Sequence, residues 1–171
     1  MITDSTLREG QQALRPFTVN EALAIYEVLN KINGSGDVIR STELFLYTNR
    51  DREIVKAVKD SGFKYPKPVA WIRAAKADVD LVVEAGLEEA VMLCSISDIH
   101  IRYKLGLTRK DVEKKYLEAL EYAPARNMFV YKPSHVSIGQ GLCSSSYSLR
   151  QPPIQMLKGY VILINLPTFF F

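Results

Sequence analysis

Residues 4–12 read Asp4-Ser5-Thr6-Leu7-Arg8-Glu9-Gly10-Gln11-Gln12 and set a guanidinium beside a carboxylate where a strand is predicted to end. The residues from 1 to 6 form a short run with isoleucine and two threonines, which suits a strand. Gly10 permits a tight exit from that strand, and a helical pattern begins near Thr18. The stretch therefore predicts a strand-to-helix connection that carries Arg8 and Glu9.

Short apolar runs alternate with helical patterns along the chain as far as Glu121. Strands are predicted at 38–47, 68–72, 90–95 and 127–131, and helices at 20–32, 48–62, 75–85 and from 108 onward. Two of these helices start with the threonine and aspartate spacing of a capping box, at Thr48 and at Thr108. Four strand-helix repeats predict an α/β fold with a parallel sheet, either doubly wound or an eight-stranded barrel. No glycine-rich dinucleotide fingerprint follows the first strand, which weakens the doubly wound alternative.

Composition and charge narrow the class of protein. The 171 residues, 47% of them hydrophobic, suffice for one globular core. Cys94 and Cys143, without a signal-peptide pattern, predict free thiols in a cytoplasmic setting. The net charge of +3 comes from four scattered basic residues after Glu121, so no nucleic-acid partner is expected. The apolar end, 160–171, is too short to span a bilayer, so no membrane partner is expected either.

A second polar cluster follows the fourth predicted strand and contains Ser95, Ser97, Asp98, His100, Arg102 and Lys104. In a strand-helix repeat this loop lies at the C-terminal edge of the sheet, on the same side as Arg8 and Glu43. Two interpretations stay open: the polar groups converge in a site, or Ser97 or Asp98 caps a turn and His100 is solvated. Glu43, an acid inside an apolar strand, lies either on a wetted face or in a site, because burying it unpaired is costly.

Three ordered motifs resemble those of the metal-dependent lyase and acyltransferase barrels that include homocitrate synthase, 2-isopropylmalate synthase, Re-type citrate synthase and hydroxymethylglutaryl-CoA lyase. The motifs are residues 4–12, Ser41-Thr42-Glu43-Leu44, and the loop Ser97-Asp98-Ile99-His100 followed by Lys104-Leu105-Gly106-Leu107-Thr108-Arg109. The loop is similar to the synthase branch, and Glu9 within Arg-Glu-Gly is similar to homocitrate synthases. The resemblance implies a partial (β/α)8 TIM barrel of about four to five strand-helix units over 1–133, followed by an irregular, divergent tail over 134–171.

The same resemblance implies a chemistry. Family members condense the acetyl group of acetyl-CoA with a 2-oxo acid, or cleave the reverse bond, on a divalent metal such as Mg, Mn or Zn. By the residue match Glu9 would be a metal ligand, and Arg8 would place a positive charge where oxyanion charge develops. Glu43 would position substrate or relay a proton, completing the catalytic pair with Arg8. Substrate would be bound by Gln12, Ser97 and His100.

The chain also departs from the family. An eight-stranded barrel needs about 250 residues, and the family's late His-x-His pair has no counterpart, since the two histidines, His100 and His135, lie far apart. The acidic residues and the resemblance to the family both end near Tyr122. We interpret this coincidence as the sign of a truncated or frame-altered product. We therefore expect an acyltransferase that is incomplete in this chain, or a non-catalytic half-barrel remnant or interaction module. Exposed barrel edges predict a homo-oligomer or other association.

Overall fold

The computed structural model describes residues 2–12, 15–36, 38–95 and 97–131, with only the backbone of Tyr131. Its elements are β1 (Ile2–Asp4), α1 (Thr6–Glu9), α2 (Val19–Asn33), β2 (Ile39–Leu44), α3 (Asn49–Asp60), β3 (Lys67–Arg73), α4 (Lys76–Glu84), β4 (Glu89–Leu93), α5 (Arg109–Ala125) and β5 (Phe129–Tyr131). A π-helical turn, His100–Lys104, lies between β4 and α5. The predicted alternation of strands and helices is confirmed, whereas the tail over 134–171 lies outside the described residues.

The five strands form one parallel sheet in the sequential order β1-β2-β3-β4-β5. Sequential order with a helix after each of the first four strands is that of part of a TIM barrel, because a doubly wound sheet reverses its order at a switch point. The expected partial barrel is thus confirmed. All strands point the same way, so the residues that follow β1, β2, β3 and β4 lie at one edge of the sheet, called here the mouth.

The core lies between the sheet and the helices. Even-numbered positions of β2, β3 and β4 pack against one face of each helix; the buried residues of this layer include Leu44, Ala70, Ile72, Ala90, Met92, Tyr26, Val55, Val58, Val79, Val82, Tyr116 and Ala119. Burying one such aliphatic side chain stabilises the fold by about 1.5–3 kcal/mol. Because side chains alternate along a strand, the odd-numbered positions lie on the opposite face, which is the inside of the partial barrel. In the register Glu43 lies opposite Val69, and Trp71 opposite Val91.

Helix ends follow from local sequence. Thr48 Oγ1 accepts a hydrogen bond from the backbone N–H of Asp51 at 3.1 Å, and the Asp51 carboxylate accepts one from the Thr48 N–H at 2.8 Å. Thr108 forms the same predicted capping box, and Thr18 starts a third. The helix that begins at Val19 ends at Asn33, whose side-chain amide bonds the N–H and the carbonyl of Ile39 at 2.7 Å each. These bonds fix the start of β2 relative to α2.

The connection after β1 differs from the sequence prediction. Four residues, Thr6–Glu9, form a short helix where no helix was predicted, and Gly10 continues it with a helical φ of −62°. Gly10 is needed for space, because a Cβ there would lie 2.8 Å from the Thr6 carbonyl oxygen and 2.9 Å from Cζ of Phe17.

The second strand ends at Leu44, three residues before its predicted end. Within the described residues no helix is both long and apolar enough to cross a membrane.

Candidate functional site at the mouth of the sheet

The first helix is held at the mouth by Asp4 and Leu7. Asp4, the last residue of β1, accepts hydrogen bonds from the Thr6 N–H at 3.1 Å and from the Thr6 hydroxyl at 2.8 Å. It also accepts one from the Thr42 hydroxyl on β2 at 3.1 Å. Leu7 is 1% exposed and anchors α1 in the core. These contacts give a helix of only four residues a fixed position, from which Arg8 reaches the inner face of the sheet.

Arg8 contacts three side chains there. Its Nε donates to Oε2 of Glu43 at 2.7 Å, and its Nη1 forms an ion pair with Oε1 of Glu9 at 2.5 Å. Its Cζ lies 3.9 Å from the ring centroid of Trp71. The Arg8 side chain is 12% exposed, against 3% for Glu43 and 50% for Glu9. The structure therefore joins a buried ion pair, a half-exposed carboxylate and an aromatic face around one guanidinium.

Burial and nearby charges shift the pKa of the Glu43 carboxyl. Burial raises the pKa of the Glu43 carboxyl, and the nearby charges of Glu9 and Asp4 raise it further. Arg8 acts in the opposite direction through its charge and its hydrogen bond, but burial prevails. Perturbed acids of this kind occur at functional sites and also in structural ion pairs. What distinguishes Glu43 is its place, since it lies at the mouth beside a partly accessible arginine.

The remaining predicted site residues form no hydrogen bond, ion pair or ring contact with Arg8 in the described part of the chain. Gln12 is exposed in the turn after α1, where its N–H donates to the carbonyl of Glu9 at 3.0 Å. The carbonyl of Ser97 accepts from the Ile101 N–H at 2.9 Å, and His100, the first residue of the π-helical turn, is exposed. The substrate-binding roles of Gln12, Ser97 and His100 stay predictions.

A second polar network, which the sequence did not reveal, lies at the ends of β2 and β3. The Tyr47 hydroxyl donates to Oδ2 of Asp78 at 2.8 Å, and Nε and Nη2 of Arg73 each donate to the same carboxylate at 2.9 Å. Burial raises the pKa of Tyr47 to about 12. Burial acts to raise the pKa of Asp78 as well, but the hydrogen bonds from Arg73 and Tyr47 outweigh it, so this pKa is lowered. The network fixes the connection between β3 and α4.

Trp71 is the contact of Arg8 that sequence reasoning missed. The sequence places Trp71 in the strand predicted at 68–72 and indicates no role for it. The available signal was strand parity: Trp71 lies two residues after Val69, which pairs with Glu43, so Trp71 and Glu43 share a face. It is also the single tryptophan of the sequence.

The donor set does not fit the metal ion that the resemblance implies. In the described ranges no three His, Cys, Asp or Glu side chains are grouped so that they could hold an ion. Glu9 offers one half-exposed carboxylate, and one of its oxygens is already paired with Arg8. A single carboxylate binds a divalent ion weakly. The assignment of Glu9 as a metal ligand stays a prediction.

Known proteins resemble the chain over the region that contains the mouth. The HMGL-like family model matches residues 1–147. A citrate (Re)-synthase from Syntrophus aciditrophicus is 47% identical over 116 residues, which are 68% of this chain and 18% of that protein. The citrate (Re)-synthase from Clostridium kluyveri is 41% identical over 117 residues, 68% of this chain and 26% of that protein. A probable 2-isopropylmalate synthase from Ignicoccus hospitalis is 33% identical over 132 residues, 75% of this chain and 32% of that protein. The chain thus spans less than a third of the length of each of these relatives.

Proposed function

Because the chain belongs to the HMGL-like family, we propose that it forms the Arg8-bearing part of a barrel acyltransferase that condenses acetyl-CoA with a 2-oxo acid. The matches to two citrate (Re)-synthases, at 47% and 41% identity, support a citrate-forming reaction. Citrate contains the carbon skeleton of oxaloacetate joined to an acetyl group, so oxaloacetate is the proposed 2-oxo acid. The Arg-Glu-Gly sequence at Arg8 is similar to homocitrate synthases, so 2-oxoglutarate is the alternative acid.

The observation that carries the proposal is the restrained guanidinium of Arg8. Glu43 engages its Nε and Glu9 its Nη1, and no hydrogen bond engages Nη2 among the described residues. An arginine stays charged at all relevant pH values and presents parallel N–H groups that match a carboxylate. Its Nη2 group would donate to the carboxylate of the 2-oxo acid, or to the oxygen that gains negative charge when the acetyl carbon attacks the keto carbon.

Glu43 would act mainly on Arg8. Its carboxylate is buried and directed at the guanidinium, which fixes the position of the positive charge before substrate arrives. Its raised pKa also suits the proton relay that the resemblance implies. Glu9 would supply an exposed carboxylate at the same site, and no step of this proposal depends on a metal.

The test is the release of free thiol from acetyl-CoA by the 171-residue chain, with oxaloacetate, 2-oxoglutarate or 2-oxoisovalerate, and with or without added Mg²⁺ or Mn²⁺. We expect oxaloacetate to give the fastest release. The Arg8→Ala variant should lose about 10²–10³-fold in rate, as when an oxyanion donor is removed. Arg50→Ala is the matched control, since Arg50 is exposed on α3. The proposal is wrong if the chain neither releases thiol with any of the three acids nor binds one of them, or if Arg8→Ala releases thiol as fast as the control.

A second candidate function is association through the open sides of the partial barrel. Within the described residues β1 and β5 each pair with a strand on one side only. Apolar side chains are also exposed to solvent: Val28 and Ile32 on α2 are 52% and 65% exposed, and Val38, whose carbonyl accepts from the Ile2 N–H, is 57% exposed. We propose a second copy of the chain as the partner of this side. Light scattering after gel filtration should show a dimer or larger species that Ile32→Glu converts to monomer, and a monomer in both proteins would refute the candidate.

A further inference from the structure

Trp71 contacts the Arg8 guanidinium on a side that neither carboxylate uses. Glu43 and Glu9 bind at the edge of the guanidinium, through Nε and Nη1. The indole ring lies 3.9 Å from Cζ and acts on the group as an aromatic surface. An edge contact leaves a planar group free to tilt, whereas a ring contact restrains its plane. The three partners together therefore restrain both the position and the tilt of the guanidinium.

The place of Trp71 in the sheet makes it a rigid support. It lies on β3, which is hydrogen-bonded to β2 on one side and to β4 on the other. Its same-face neighbours Val69 and Val91 are 1% and 7% exposed. Arg8, in contrast, extends from a helix of four residues, and an unrestrained arginine side chain has many rotamers. Trp71 is also absent from the core between sheet and helices, so filling that core is not its role.

We propose that Trp71 is a positioning residue for Arg8: its indole ring holds the guanidinium plane so that Nη2, which neither Glu43 nor Glu9 engages, stays available to an anionic ligand. The part of this inference that concerns the ligand rests on the proposed function, because the anion is then a 2-oxo acid. The part that concerns the guanidinium does not need any activity and can be tested in the free chain.

The first experiment measures the Arg8 Nε–H resonance of the ¹⁵N-labelled 171-residue chain, identified by its loss in Arg8→Lys. The ring current of Trp71 should shift this proton, and its hydrogen bond to Glu43 should slow its exchange with water. Trp71→Leu is expected to remove the ring-current shift and speed the exchange, and Trp71→Phe to restore the slow exchange. Phe63→Leu is the control, since its ring contacts Tyr26 and not Arg8. An exchange rate that is unchanged in Trp71→Leu overturns the proposal.

A second measurement guards against misfolding of the Trp71 variants. The chain has one tryptophan, so tryptophan fluorescence reports on the surroundings of Trp71 alone. Removing the guanidinium in Arg8→Gln should uncover part of the ring and increase quenching by acrylamide, whereas Arg50→Gln should leave quenching unchanged. Equal quenching in Arg8→Gln and wild type means that no stacked contact exists in solution, which also overturns the proposal.

The third experiment separates positioning from the proposed function. Calorimetric binding of oxaloacetate should weaken by roughly 5- to 30-fold in Trp71→Leu, the range expected for loss of a desolvated cation–π contact, and Trp71→Phe should recover most of it. Unchanged binding in Trp71→Leu refutes positioning. If the wild-type chain binds none of the three 2-oxo acids, the proposed function fails, and the resonance experiment alone decides whether Trp71 restrains Arg8.

Discussion

Replacing Arg8 by glutamine leaves Glu43 buried without its counter-charge. The Glu43 side chain is 3% exposed, and 2.7 Å separate its Oε2 from Nε of Arg8. Removing one partner of a buried ion pair costs about 3–5 kcal/mol. We expect the lower end, about 3 kcal/mol, because glutamine can still donate a neutral hydrogen bond. The free energy of unfolding of Arg8→Gln should therefore lie about 3 kcal/mol below that of the wild type at pH 7.

This deficit should depend on pH. Burial raises the pKa of Glu43 and Arg8 acts to lower it, so loss of Arg8 raises the pKa further. A carboxyl whose pKa is higher in the folded than in the unfolded state contributes stability at low pH, and that stability is lost as the pH rises through the folded pKa. The free energy of unfolding of Arg8→Gln should thus approach that of the wild type as the pH is lowered from 7 to about 5.

Urea unfolding followed by far-UV circular dichroism measures both effects without relying on tryptophan fluorescence, which the substitution itself changes. The double variant Arg8→Gln/Glu43→Gln replaces the ion pair by two neutral amides and should recover most of the loss. Arg50→Gln is the matched control on an exposed helix position. A deficit below about 1 kcal/mol, or one that is the same at both pH values, would refute the buried ion pair as a source of stability.

Three further substitutions test the framework of the mouth by urea unfolding. Gly10→Ala should cost about 1–3 kcal/mol, because its Cβ would lie 2.8 Å from a helix carbonyl and 2.9 Å from an aromatic carbon; an unchanged midpoint would show that the helix shifts freely. Asn33→Ala should cost about 1–3 kcal/mol for each of the two Ile39 groups that lose their partner, and a smaller loss would mean that water replaces the amide. Asp78→Asn should lower the free energy of unfolding at pH 7. The loss should shrink as the pH falls through the lowered pKa of Asp78, because a carboxylate with a lowered pKa contributes stability only above that pKa. An effect independent of pH would contradict the Arg73 contact.

Elements defined by nearby residues were predictable. The capping boxes at Thr48 and Thr108 require residues only three positions apart, and both are present. The strands followed from runs of apolar and β-branched residues between turn signals. The first helix was missed because four residues are too few to show a helical period. This helix forms because the Asp4 carboxylate accepts hydrogen bonds from Thr6 and because Leu7 is buried, and both contacts depend on the tertiary structure.

The site was predictable as a location and only partly as a set of contacts. Parallel strands place their ends at one edge, so Arg8 and Glu43, 35 residues apart, could be expected to lie close together. That they touch, and that Trp71 joins them, depends on side-chain length and strand parity. The loop after β4 was placed at the same edge, but its π-helical turn decides where Ser97 and His100 lie. Asp98, in that loop, forms a surface ion pair with Arg109 at the start of α5.

The alternation along β3 separates two kinds of sequence change. Positions 69 and 71 face the inside of the partial barrel, whereas Ala70 and Ile72 are buried against the helices. Substitutions at the first pair can alter the surroundings of Arg8 without repacking the core, and those at the second pair have the reverse effect. Deleting or inserting one residue in β3 would exchange the two sets at once, setting an isoleucine before the guanidinium and a tryptophan into the helix interface. Homologous chains should therefore vary in length between their strands and hardly ever within this one.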